Sequence, residues 1–325
     1  MKILRILCIL FLVVSCQKKN NHPYTFYYWK TNFSLHPEEK KALDKATIPY
    51  LYTRFFDVDK VGGKFQPVGV ITKDNNFLTD KQIVPTVFIT NQTLLNISQD
   101  EIRFLAESIN QLIQKKITEY QIKVTNEIQI DCDWTAGTRD DYFTFLKELK
   151  KISGKEITCT LRLHQVKDKN QTGIPPVDKV YLMCYSTSSP LENSNKNSIL
   201  DVTVLKSYLA KIEDYPIKKI DVALPIYSWG IVTNHLGKHK LINALSKGDL
   251  NNPNFKKISS TEIEIQKDGF YFGNYLNKGF KIKVEEIADD QLQEVVGFLE
   301  KKIKHFNIVY YQLDSKFVTG QNFNF

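Results

Sequence analysis

Ile128-Gln129-Ile130-Asp131-Cys132-Asp133-Trp134-Thr135 is the stretch on which the fold turns. Side chains alternate sides along an extended strand, so Asp131, Asp133 and Thr135 share one face while Ile130, Cys132 and Trp134 share the other. Apolar strand residues belong against a layer of helices, which turns Cys132 outward and points the acidic face into the interior of a closed sheet, near its open end. Inward carboxylates need partners, because an unpaired buried charge is costly. Arg162 and Arg54, each on another strand-like run, are the candidate partners.

On either side of this strand, runs rich in β-branched and aromatic residues recur at Thr25 to Trp29, Pro49 to Phe56, Pro85 to Thr90, Glu127 to Asp133, Glu156 to Leu163, Lys179 to Tyr185, Lys219 to Tyr227 and Asn307 to Leu313. Helical periodicity separates several of them, the alternation of a parallel sheet with crossover helices. One helix opens at Ser98 with Glu101 three residues on, a capping box, and runs through Ile102, Leu105, Ile109 and Ile113 on one face. A second starts near Thr138 and buries Tyr142, Phe145, Leu146 and Leu149; others lie at Leu205 to Ile212 and Leu292 to Ile303. The expected fold is α/β, a (β/α)8 TIM-type barrel with its functional groups at the C-terminal ends of the strands.

Two units depart from regularity. After the fifth strand, Pro175-Pro176 and weak periodicity leave room for a loop or a single turn. After the seventh, a small antiparallel insertion spans about 231–286. There Glu262-Ile263-Glu264-Ile265 alternates, Asp268-Gly269 reads as a turn into Phe270-Tyr271-Phe272, and Phe280 to Val284 supplies a third strand that builds a lid or side wall over the mouth.

The chain has 325 residues, a formal charge of +8 and 42% hydrophobic residues, ample for a full core and unlike a disordered or fibrous chain. Lys2 and Arg5, the apolar run Ile6 to Val14 and then Ser15-Cys16 follow the order of a secretory signal. Val13-Val14-Ser15-Cys16 resembles the lipobox of bacterial lipoproteins. That resemblance implies cleavage of residues 1–15, a lipid on Cys16, a tether over 16–23 and a barrel over 24–325. The expected location is the cell envelope, at the outer rather than the inner membrane, with the membrane held as a partner through the lipid. Export and scattered basic residues argue against nucleic acid. Cys132, Cys159 and Cys184 sit in apolar runs and read as buried hydrophobes, and no ligand spacing for a metal or fingerprint for a cofactor is present.

At the fourth strand the sequence resembles the family 18 glycoside hydrolases, the chitinase-like barrels, whose strand ends in Asp-x-x-Asp-x-Asp-x-Glu. Asp131 and Asp133 take the second and third acidic places, while Thr135 stands at the catalytic Glu and Ile128 at the first Asp. Met183-Cys184-Tyr185 resembles the sixth-strand Met-x-Tyr, with Ser186 where an Asp is usual, and Leu224-Pro225-Ile226-Tyr227 the seventh-strand Leu-Pro-x-Tyr. The resemblance implies a barrel that binds, and in an active form processes, an oligosaccharide or polysaccharide. Any catalysis falls to Asp133, tuned by Asp131 through like-charge coupling. A Thr hydroxyl cannot take the place of the missing acid.

At the expected mouth stand Asp57, Arg162, His164, Tyr185, Tyr227, Trp229 and Asp314, a polar and aromatic set suited to sugar hydroxyls and ring faces. Of these, Arg162, Tyr185, Tyr227, Trp229 and Asp314 are the expected ligand contacts. The alternative expectation is a non-catalytic envelope scaffold on a degenerate hydrolase fold, meeting an envelope protein partner through Ile231 to Glu286.

Overall fold

Eight parallel strands close on themselves in the computed structural model, which describes residues 22–74, 77, 79–192, 194–321 and 323. They are β1 (Tyr24–Tyr28), β2 (Tyr50–Val61), β3 (Gln82–Ile89), β4 (Glu127–Cys132), β5 (Glu156–Arg162), β6 (Lys179–Met183), β7 (Lys219–Pro225) and β8 (Ile308–Tyr311). Each pairs with the next, and Tyr24 of β1 lies opposite Ile308 of β8 while Tyr27 lies opposite Tyr52 of β2, which completes the ring. The eight expected strands are therefore the eight of a (β/α)8 barrel. The expected signal segment and Cys16 lie outside the described residues.

The helices are α1 (Pro37–Lys45), α2 (Gln99–Tyr120), α3 (Arg139–Ser153), α4 (Leu163–Lys167), α5 (Lys169–Thr172), α6 (Val202–Tyr208), α7 (Asp289–Glu300) and α8 (Ser315–Val318). Ser98 and Glu101 close their capping box at the head of α2, whose Ile102, Leu105, Ile109 and Ile113 are buried. After β5 the chain makes only the short α4 and α5, as the Pro pair requires. Between β2 and β3 the described residues form no helix. Instead β2 runs on past the ring, turns at Gly62-Gly63 and pairs antiparallel with Lys64–Val68. No helix of the described residues is long and apolar enough to cross a membrane.

The facing of β4 follows from its alternation. Glu127, Gln129 and Asp131 look into the ring. The Glu127 carboxylate accepts from the Tyr181 hydroxyl and from Thr158 Oγ1, both at 2.7 Å, and Asp131 accepts from Thr160 Oγ1 at 2.6 Å. Cys132 faces the helix layer with Cys159, beside Tyr142 of α3, and burial pushes both thiols up. Trp134 stacks on Tyr142 at 5.0 Å and its indole donates to the Thr172 carbonyl at 2.9 Å, so it is a packing residue of the outer layer.

The insertion is a five-stranded antiparallel sheet that begins at Trp229, two residues before the expected boundary, and ends at Glu285. Its strands are Trp229–Thr233, His239–Asn243, Phe255–Lys257, Glu262–Ile265 and Lys281–Glu285, and they enclose a core of their own around Ile242, Leu245, Ile263 and Ile282. The expected hairpin is corrected here. Glu262–Ile265 pairs with Lys281–Glu285 and with Phe255–Lys257, whereas Gly269–Tyr271 forms a separate ribbon with Asn274–Leu276. The ribbon turns at Phe272-Gly273, both with positive φ, and the Asp268 carboxylate clamps its base by accepting from Lys278 N at 2.6 Å.

Gly230 allows this sheet to seat on its own core. A Cβ there would lie 2.4 Å from Leu245 Cδ2 and 3.2 Å from Ile282 Cγ2, inside van der Waals contact. Gly230→Ala is expected to destabilise by about 1–3 kcal/mol, with hydrogen exchange rising first in the insertion strands rather than in β1–β8.

Candidate binding cleft

The C-terminal ends of the strands surround a cleft of about 570 Å³. The buried Asp131 lines it together with Arg162, Tyr185, Trp29, Tyr227 and Trp229. Tyr185 stacks on Tyr311 at 5.5 Å, and Tyr227 meets Tyr185, Trp229 and Tyr311 at 6.0, 5.2 and 5.6 Å. This is a continuous aromatic wall contributed by the segments just after β6 and β7, by the end of β8 and by the first residue of the insertion. Trp229, Asn243 and Ala244 bring the insertion to the cleft as its side wall.

Burial pushes the Asp131 carboxyl above the ordinary carboxylate range. The nearby Arg162 charge opposes that rise, Asp133 adds to it, and the Thr160 hydroxyl opposes it. The expected like-charge coupling is thus present but secondary to burial. The half-exposed Asp133 pairs with Arg162 Nε and lines an adjoining cleft of about 280 Å³ with His164, Thr187 and Tyr208, rather than the larger one. Burial lowers the His164 imidazole below its ordinary value. Arg162, Tyr185 and Ser186 form the partition between the two clefts. Ser186 holds a left-handed backbone (φ 57°), fixed where its N–H donates to the Ile199 carbonyl at 2.7 Å.

Two expectations about neighbours are corrected, and a third residue has a second role. Arg54 does not serve Asp131. It grips Asp57, two bonds to one carboxylate, with Nε to Oδ1 at 2.5 Å, because the bulge between Arg54 and Phe56 brings the two side chains of β2 together. Thr135 leaves the inward face. β4 ends at Cys132, and the chain turns so that Thr138 N donates to the Thr135 carbonyl at 3.1 Å, leaving Thr135 exposed and outside both clefts. Asp314 lines the larger cleft but is also the N-cap of α8, accepting from Lys316 N at 3.0 Å. The structure brings Asp131, Arg162, Tyr185, Tyr227, Trp229, Asp57 and Asp314 into one cleft. Among the described residues no cluster of His, Cys, Asp and Glu is arranged to hold a metal ion.

Glu285 was not singled out by the sequence. It is buried at the end of the insertion and accepts from the Trp229 indole at 2.9 Å, from Ser198 N at 3.0 Å and from Lys283 Nζ at 2.7 Å. Burial pushes its carboxyl up, yet Lys283, Ser198 and Trp229 together outweigh burial and hold it below the ordinary glutamate range. Alternation from Ile282 and Val284, which enter the insertion core, puts Glu285 on the Trp229 side of that strand and is the signal that would have found it. Glu285→Gln keeps the size and loses the charge, and is expected to destabilise by about 2 kcal/mol at neutral pH. A depressed carboxyl contributes stability above its unfolded range and loses it as pH falls, so the gap to wild type in melting curves should close below about pH 4.

No family model and no curated protein matches this sequence. Solved structures do match it in fold. The spore cortex-lytic enzyme SleL of Bacillus cereus is 17% identical with a TM-score of 0.54, over 91% of this chain and 71% of that one. SleL of Bacillus megaterium is 13% identical with a TM-score of 0.54, over 90% and 72%. The C-terminal domain of a protein assigned as a chitinase from Desulfitobacterium hafniense is 12% identical with a TM-score of 0.57, over 93% and 97%. At such identities the likeness carries the fold alone, a (β/α)8 barrel.

Proposed function

We propose that this protein is a lipid-anchored cell-envelope protein whose cleft binds a glycan. The observation that carries the glycan reading is the make-up of the cleft, in which four aromatic rings, Trp29, Tyr227, Trp229 and Tyr311, stand around a buried carboxyl and a guanidinium. Sugars offer apolar ring faces to stack on and hydroxyl edges to hydrogen-bond, and few other ligands need both at once. Proteins of like fold bear the names cortex-lytic enzyme and chitinase, an analogy that supports the reading without establishing it. If the bound glycan is cleaved, Asp131 and Asp133 are the carboxyls proposed to take part.

The anchor is read from Val13 to Cys16. β1 starts at Tyr24, at the strands' N-terminal end, so a lipid on Cys16 would hold the barrel by the end opposite the cleft. Cys16→Ala should release the protein from the membrane fraction, and retention there would remove the anchor. For the glycan, the test is the melting temperature of the purified chain across a panel of oligosaccharides, where a rise with at least one is expected and no rise with any would sink the reading.

One observation favours the scaffold reading as the second. Phe270 and Tyr275 lie edge to face at 5.2 Å on the ribbon of the insertion, with Phe270 80% exposed. A protein partner docked there would be lost with Phe270→Ser, leaving glycan binding intact.

A further inference from the structure

We infer that the cleft selects a glycan carrying a carboxylate, and that Arg162 reads it, an inference that rests on the glycan reading above. A guanidinium offers five N–H donors in a planar fork. In Arg162 the Nε is taken by Asp133, and among the described residues neither terminal nitrogen makes a hydrogen bond, although the side chain stands in the partition between the two clefts. The Tyr185 hydroxyl beside it is buried and without a partner as well. A ligand that displaces water from these donors must bring acceptors, or the donors are left unpaired at a cost.

The charges around the cleft decide which acceptor. Asp57 is taken up by Arg54 and Asp133 by Arg162, while Asp314 bonds to the backbone of α8. Burial disfavours the ionised form of Asp131. Lys316 stands on the same cleft, exposed and in no ion pair among the described residues. The unspent groups are therefore cationic donors. A carboxylate fits the fork through two parallel bonds, stronger than those to a neutral hydroxyl. A doubly charged phosphate would meet more repulsion from Asp314, which no cation neutralises among the described residues, than one charge does.

The test is titration calorimetry on the purified full chain with disaccharides of N-acetylglucosamine joined to glucuronic acid or to muramic acid. Each is supplied as free acid and as methyl ester, beside chitobiose and a sugar 6-phosphate. At least one free acid is expected to bind tenfold or more tightly than its own ester, with an affinity that falls as salt is added. Arg162→Lys keeps the charge beside Asp133 and loses the fork, so the acid-to-ester ratio should drop below about threefold. Acid and ester bound alike in the wild type, or the phosphate preferred, would overturn the selectivity while glycan binding stands. Binding of none of these probes would bring down the glycan reading and this inference with it. The wild-type ratio needs no variant to fold.

Discussion

An aspartate at position 132 should cost the protein at least about 4 kcal/mol of stability, a large part of what an ordinary domain has. Cys132 is fully buried on the outer face of β4, against Tyr142 and Cys159 and away from the barrel interior. A carboxylate there would lie beside Tyr142, and the neighbouring Asp131 and Asp133 carboxyls disfavour a further negative charge. It must either ionise without solvation or take up a proton, and both options are paid by the folded state. Chemical denaturation of Cys132→Asp beside Lys151→Ala measures this, since Lys151 is exposed at the end of α3 and should move the midpoint little. Equal, small effects from both would mean that β4 presents its other face to the helices.

Arg162→Met is expected to be nearly as costly, about 3 kcal/mol at neutral pH, and to show a pH dependence that a packing defect would not. The variant strips the cation from both Asp131 and Asp133. Arg162 now restrains the rise in the Asp131 carboxyl, so its loss drives that carboxyl further up. A carboxyl raised in the folded state binds its proton more tightly than in the unfolded chain, and stability then falls as pH rises through the interval between the two values. The deficit of the variant relative to wild type should therefore be smallest in acid and grow toward neutrality. Asp133, half exposed, adds less than a buried partner would. Melting curves at a series of pH values read this directly, and a deficit that stays flat with pH would show that Arg162 does not compensate Asp131.

The barrel was legible because its signals are local. Alternation along Glu127–Cys132 fixes the facing of β4, and the capping box at Ser98 and Glu101 fixes the start of α2. Side was readable where height was not. Asp131 does face the interior, but β4 ends at Cys132, and that end leaves Asp131 lining the larger cleft and hands Asp133 to the adjoining one. Long-range pairings were out of reach. Glu285 meets Trp229 and Ser198 across 56 and 87 residues, and no periodicity carries such a partner. The hairpin was misread for a related reason. Asp268-Gly269 has the composition of a hairpin turn, yet Asp268 ties the base of the ribbon Gly269 to Leu276, and Glu262–Ile265 finds its partner beyond it.

Glycan binding in this cleft requires sugar rings to stack in the mouth of the closed barrel. Tyr227 is the residue to remove, since it touches Tyr185, Trp229 and Tyr311 and lines the cleft. Two of the three tryptophans, Trp29 and Trp229, line that cleft, so their fluorescence reports occupancy. Titrating wild type and Tyr227→Ala with the best oligosaccharide of the panel should give saturable quenching or enhancement in the first and an affinity at least tenfold weaker in the second, the loss of about 1.4 kcal/mol or more. A saturable signal of unchanged affinity in the variant would place the glycan elsewhere and contradict the account.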